Sequence, residues 1–140
     1  MNLYLDASFL VALFIIDPFN SRADAFSSTH PGILLISDFG AAEFSSAIAR
    51  RARMGDLSKA EGREAFLQFD LWLGRTASRE LFVSADIAAA DQILRRLDTP
   101  LRAPDAIHIA IAQRLDATLV TFDRQMADGA RALGTAVATP

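Results

Sequence analysis

Short apolar runs alternate along this chain with longer stretches of helical periodicity, and this alternation restricts the fold more than any other feature of the sequence. A strand that leads through a helix to a neighbouring strand runs parallel to it, so repetition of the unit builds a parallel sheet covered by helices. The runs place strands at Asn2–Leu5, Ile33–Ile36, Leu81–Ser84, Thr118–Thr121 and, shorter, Thr135–Ala138. Helices are expected at about 7–15, 20–28, 39–53, 57–75, 86–97, 104–115 and 124–132. A chain of 140 residues is long enough for one buried core and too short for two ordinary domains. The expectation is an α/β fold in a single domain, 1–140: a three-layer α/β/α sandwich around a mostly parallel sheet of about five strands.

Several boundaries have local causes. Pro104 suits a first helical turn, where its missing N–H would have no partner. Pro18 and Asn20 interrupt the first helix, and Gly134 follows the last as a C-terminal stop. In the segment from Phe66 to Leu73, apolar side chains fall on more than one side of a helix, so it packs deep in the core or meets a partner.

Composition removes several classes of function. With no cysteine, neither a disulfide framework nor a thiolate zinc site can form, and the composition fits a reducing cytoplasm. The longest apolar run, Phe9 to Ile16, stops at Asp17, far short of the roughly 20 residues a membrane-spanning helix needs. The opening residues, with Asp6 among them and no cationic leader, do not read as a signal peptide. A net charge of -3 argues against binding nucleic acid through bulk positive charge. It does not exclude a nuclease, because carboxylates gathered for metal count as negative while the cations that reverse their field go uncounted. Lys59 is the only lysine among 14 basic residues. Arginine, with its planar fork of donors, suits phosphate, although a GC-rich genome produces the same skew.

Four acidic residues stand where the alternation changes from strand to helix. Asp6 follows the first strand and Asp123 precedes the last helix, and capping explains either one taken singly. Asp105 lies in the first turn after Pro104, where the helix dipole favours a negative side chain whatever its use. Glu43 differs. Phe39 and Ala47 are four positions away on either side and share its face, and a glutamate on a core-facing stripe is unfavourable unless paired or bound.

Together the four say more, because a parallel sheet has a polarity: strands end, and covering helices begin, on one edge. All four acids belong to that edge, where open sheets bind ligands at the crevice where strand order reverses. If the first strand and the strand at 118–121 are central neighbours, the crevice lies between Asp6 and Asp123. Asp86 also follows a strand, but one expected at the sheet margin, and is read as a cap. Clustered carboxylates repel, and a hard divalent cation, magnesium or manganese, relieves the repulsion while also binding phosphate oxygens. Hydrolysis of a phosphodiester is the reaction this chemistry suits.

These residues resemble the PIN domains, and within them the VapC toxins of bacterial toxin–antitoxin pairs. The resemblance runs along essentially the whole chain. It rests on Leu-Tyr-Leu-Asp-Ala-Ser at 3–8, on Glu43 in Ala-Glu-Phe-Ser-Ser-Ala-Ile-Ala-Arg, on Asp105 in Pro-Asp-Ala-Ile-His-Ile-Ala, and on Leu-Val-Thr-Phe-Asp at 119–123. It implies a PIN-like α/β/α sandwich and a magnesium- or manganese-dependent endoribonuclease. Asp6 and Asp105 would be the principal metal ligands, with Glu43 and Asp123 completing the cluster directly or through water. Ser8 and Thr121 match positions of small hydroxyl residues near such sites, and turn or strand-end hydrogen bonding accounts for them equally. His108 lies one turn beyond Asp105 and is read as structural. The resemblance also implies an RNA substrate, a VapB-like antitoxin and a homodimer, with no membrane partner. Arg50, Arg51, Arg53, Arg102 and Arg124 are candidates for phosphate contact, yet no basic run marks a path for RNA.

Two other phosphoryl-transfer folds place an aspartate after their first strand. A haloacid dehalogenase-like domain needs a second acid two residues on, where this chain has Ser8, and a late lysine. A receiver domain needs an acidic pair and a late lysine, which Lys59 does not supply. The remaining alternative is a non-catalytic PIN-like module that binds RNA or protein.

Overall fold

In the computed structural model, which describes residues 1–140, the central strand β1 (Asn2–Leu5) carries most of the architecture. It pairs in parallel with β2 (Ile33–Ser37) on one side and β4 (Ala117–Val120) on the other. The margins are β3 (Ala77–Glu80), beside β2, and β5 (Val137–Ala138), beside β4, so the order is β3-β2-β1-β4-β5 and every pair is parallel. The chain builds outward from β1 through β2 to β3, then crosses to the other side for β4 and β5. That reversal puts the switch point between β1 and β4.

Seven helices connect the strands: α1 (Ala7–Phe14), α2 (Asn20–Thr29), α3 (Asp38–Arg53), α4 (Lys59–Thr76), α5 (Ser84–Arg95), α6 (Ala103–Arg114) and α7 (Arg124–Ala132). Alternation along the strands sorts them into two layers. Leu3, Leu5, Leu34, Ile36 and Val120 face a core shared with Phe9 of α1, Ala23 of α2, Phe44 of α3 and Phe69 of α4. Tyr4, Leu35 and Leu119 face a second core with Ile93 of α5, Ile109 of α6 and Met126 of α7. The result is the expected three-layer α/β/α sandwich. In α6 every residue from Asp105 to Ala112 is buried, so this helix is enclosed on all sides and carries its polar residues into the interior. No helix is long and apolar enough to cross a membrane.

One strand lies earlier than expected. The third strand is Ala77–Glu80, not Leu81–Ser84, and α4 runs directly into it. At the sheet margin a strand has one neighbour and needs no apolar run: Ser78 and Arg79 are exposed, and Arg79 reaches Asp38 at the start of α3, 2.6 Å away. The apolar residues that follow have other uses, with Phe82 stacked on Phe39 and Val83 preceding α5. Consequently α5 begins at Ser84, and Asp86 is its third residue. The carboxylate reaches back to the Val83 N–H and also pairs with Arg114 at 2.7 Å.

The helix at 59–76 buries Phe69 and half-buries Phe66, Trp72 and Leu73, while Leu67 and Leu71 stay exposed. Rings of Phe14, Phe44, Phe69 and Trp72 meet edge-on or tilted at centroid distances of 4.8–6.5 Å, which makes core packing the main use of this apolar face.

Candidate active site

Asp6 is the residue directly after β1, and its backbone N–H continues the β1–β4 pairing by donating to Val120 O. Its extended backbone makes it the N-cap of α1, where Oδ1 accepts from the Phe9 N–H at 3.0 Å. Two hydroxyls complete its setting: Ser8 Oγ donates to Oδ1 at 2.7 Å, and Thr121 Oγ1, from the residue after β4, donates to Oδ2 at 2.6 Å. The carboxyl is buried, and burial pushes it above its ordinary value, opposed by His108 and by the three hydrogen bonds.

Thr121 and Ser8 extend this setting to Asp123. Thr121 Oγ1 accepts from the Asp123 N–H at 2.9 Å, and Ser8 Oγ accepts from the Phe122 N–H at 3.0 Å. Asp123 is the N-cap of α7, with Oδ1 accepting from the Met126 N–H at 2.9 Å. The two hydroxyl residues therefore tie the ends of β1 and β4 together at the switch point.

Asp105 and Glu43 arrive from two helices that also begin on this edge. Since α6 leads into the start of β4, its own start lies where β4 ends. Asp105 Oδ2 reaches back to the Arg102 N–H at 2.9 Å, a capping arrangement helped by Pro104 in the first turn. One turn on, His108 is buried, and its Nε2 contacts Glu43 Oε1. Glu43 is thus paired, as a glutamate beside the core must be, and its side chain remains 31% exposed.

Behind Glu43 lies a buried polar chain. Tyr4 OH is 2.7 Å from both His108 Nδ1 and Ser37 Oγ, and Ser37 Oγ accepts from the Gly40 N–H as N-cap of α3. A carboxylate at Nε2 requires a ring proton there, and the Tyr4 hydroxyl meets the ring's other nitrogen. Burial holds the Tyr4 phenol far above the usual tyrosine range, which keeps the hydroxyl a donor. His108 is structural, as expected, but the group it supports is one of the four candidate acids. Tyr4 and Ser37 were missed. A tyrosine inside an apolar strand was the available signal, because a buried phenol needs a partner.

The structure joins Asp6 to Asp123 through Thr121, and Glu43 to Tyr4 through His108. Asp105 bonds to none of the other three acids, and no three acidic or histidine side chains stand close enough to hold one ion. Each acid nevertheless uses its oxygens unequally. Asp105 Oδ1, Asp123 Oδ2 and Glu43 Oε2 have no hydrogen-bond partner in the protein, and Asp6 Oδ2 has one. An all-oxygen donor set with free oxygens on one edge suits a hard cation that also takes water or phosphate oxygens.

The arginines divide by position. Arg102 and Arg124 are exposed at the starts of α6 and α7, beside Asp105 and Asp123. Arg50, Arg51 and Arg53 lie in the last turn of α3, at least roughly 10 Å along the axis beyond Glu43, and Arg51 pairs with Asp17 at 3.6 Å.

The PIN domain family model matches residues 3–132. Ribonuclease VapC46 of Mycobacterium tuberculosis is 32% identical over 148 residues, which cover 99% of this chain and 97% of that protein. The crystal structure of Mycobacterium tuberculosis VapC20, a toxin that cleaves the sarcin-ricin loop, matches with a TM-score of 0.77 at 20% identity, covering 99% of each chain. VapBC2 from Rickettsia felis, bound to a DNA fragment from its promoter, matches with a TM-score of 0.70 at 15% identity over 99% of this chain and 98% of that one. The two structures speak for the fold. With the family model and a full-length relative agreeing, the chain belongs to the PIN-domain family, among its VapC-type ribonucleases.

Proposed function

We propose that this chain is a magnesium- or manganese-dependent endoribonuclease, the toxin of a toxin–antitoxin pair, and that Asp6, Glu43, Asp105 and Asp123 form its active site. The carrying observation is the acidic edge at the β1–β4 switch point, where capping and pairing leave an oxygen free on Glu43, Asp105 and Asp123 and Asp6 Oδ2 with a single partner. Asp6 and Asp105 are the principal ligands in this reading, with Glu43 and Asp123 acting directly or through water. When bound, the cation makes water a stronger nucleophile and stabilises charge on the leaving oxygen. The protein's own part is positional. Ser8 and Thr121 orient Asp6, His108 holds Glu43, and Arg102 and Arg124 contact substrate phosphates. A cation at this edge also favours the ionised form of Asp6, against the burial that disfavours it.

The Rickettsia felis complex supports an antitoxin of VapB type as the partner in this reading; a homodimer and a cytoplasmic setting complete the same proposal. The deciding experiment is cleavage of RNA by purified protein with magnesium or manganese, comparing wild type with Asp6→Asn and Asp105→Asn. Asparagine keeps a capping oxygen but not the charge, so each variant is expected to fold and to lose cleavage. Full cleavage by either folded variant overturns the site. RNA bound but left uncut by the wild type favours a non-catalytic binding module instead.

A further inference from the structure

Three phenylalanines form a continuous stack that leads from the core to the surface beside the acidic edge. Phe9 is fully buried, Phe122 is half-buried, and Phe19, 38% exposed, is outermost. Phe9 and Phe122 are 5.9 Å apart at 6°, and Phe122 and Phe19 are 4.7 Å apart at 8°, so all three rings are nearly parallel. Parallel stacking of this kind fixes the direction in which a fourth flat group would add.

The middle ring belongs to the acidic edge. Phe122 lies between Thr121 and Asp123, and its N–H donates to Ser8 Oγ, which in turn donates to Asp6. A cation flanks the stack without covering it. The Arg22 guanidinium carbon is 5.3 Å from the Phe19 centroid and 5.5 Å from that of Phe122. With the two rings 4.7 Å apart, these three points make a nearly equilateral triangle, which sets the guanidinium beside the pair. A group above the outer face of Phe19 would be much farther from Phe122 than from Phe19.

The geometry points to Phe19 as a stacking platform for one unpaired nucleobase of the RNA, with Arg22, whose guanidinium also donates to the Pro140 carbonyl oxygen, alongside the rings. This inference rests on the RNA-cleaving reading and adds to it which part of the substrate is grasped. Bare aromatic faces bind unpaired bases with little regard for sequence, and a base within a duplex has no free face to offer. The substrate is therefore single-stranded where it crosses Phe19, in a loop, bulge or end.

The test compares wild type, Phe19→Leu and Phe19→Trp. Leucine keeps apolar bulk without an aromatic face, and tryptophan keeps the face. Steady-state cleavage of a single-stranded RNA is expected to show KM raised about 5- to 100-fold in Phe19→Leu, with kcat little changed, and near wild type in Phe19→Trp. A structural role for Phe19 would instead lower kcat and the thermal midpoint. Independently of any variant's folding, 2-aminopurine placed at each position of the RNA in turn should be quenched at one position in the complex with wild-type protein, under EDTA. Wild type that cuts RNA while Phe19→Leu keeps its KM, or shows no position-specific quenching, overturns the platform and leaves the ribonuclease reading intact. Wild type that cuts no RNA overturns the ribonuclease reading, and the platform with it.

Discussion

Tyr4 and His108, 104 residues apart in the chain, are joined by a buried 2.7 Å hydrogen bond directly behind the acidic edge. Tyr4→Phe removes the hydroxyl and leaves His108 Nδ1 without its partner. Urea unfolding should show a loss of about 1–3 kcal/mol. Because the bond supports the residue that holds Glu43, cleavage should fall in kcat more than in KM. Unchanged stability and kcat would mean that the ring stays in place without the phenol.

Thr121→Val tests the bridge between the two central strands. Valine matches threonine in shape but offers neither the donor to Asp6 Oδ2 nor the acceptor for the Asp123 N–H. Activity should drop roughly 10- to 100-fold, the usual scale for residues that orient metal ligands. Thermal melts of the same variant should show a loss of about 1–3 kcal/mol. A fully active Thr121→Val enzyme would remove Thr121 from the site.

Magnesium or manganese should raise the thermal midpoint of the wild type, since a ligand bound only by the folded state stabilises it. At a hundred times its Kd the gain is about 2.7 kcal/mol. Asp6→Asn should show little or none of this shift at the same concentration. Equal shifts in both proteins would place the cation elsewhere.

The edge strand offers a pH test. Arg79 beside Asp38 holds that carboxyl below the usual carboxylate range, chiefly through their hydrogen bond. A folded-state value below the unfolded one means that the pair's contribution is present above the unfolded pKa and fades as pH falls through the folded one. Both groups are well exposed, so the effect on stability is small. Carboxyl titration by NMR is the sensitive readout: Arg79→Ala should return Asp38 towards the ordinary range, and an unmoved titration contradicts the pairing.

What could be read from the sequence follows from which contacts are local. The ends of β1 agree to the residue, β2 runs one residue past its expected end and β4 is shifted by one residue at both ends, because apolar runs bounded by turn residues mark interior strands well. Ala77–Glu80 escaped because a margin strand with a polar face carries no such run, while Leu81, Phe82 and Val83 beside it do. In the site, Asp6, Asp105 and Asp123 were legible because each sits at a strand end or in a first helical turn, and Glu43 because it interrupts a core-facing stripe. Tyr4 with His108, and Phe19 with Phe122, were not. Their partners are fixed only once distant segments pack together, and no spacing in the sequence encodes that.

In the proposed site, Asp6 and Asp123 each spend one oxygen starting a helix and leave the other for chemistry. Fold and reactivity therefore draw on the same two positions, and drift cannot discard one without disturbing the other. A descendant of this protein freed from cleaving RNA would still be selected to begin α1 and α7. Such pseudoenzymes should carry asparagine or serine at positions 6 and 123 more often than alanine, leaving the former site recognisable by its caps long after its charge is gone.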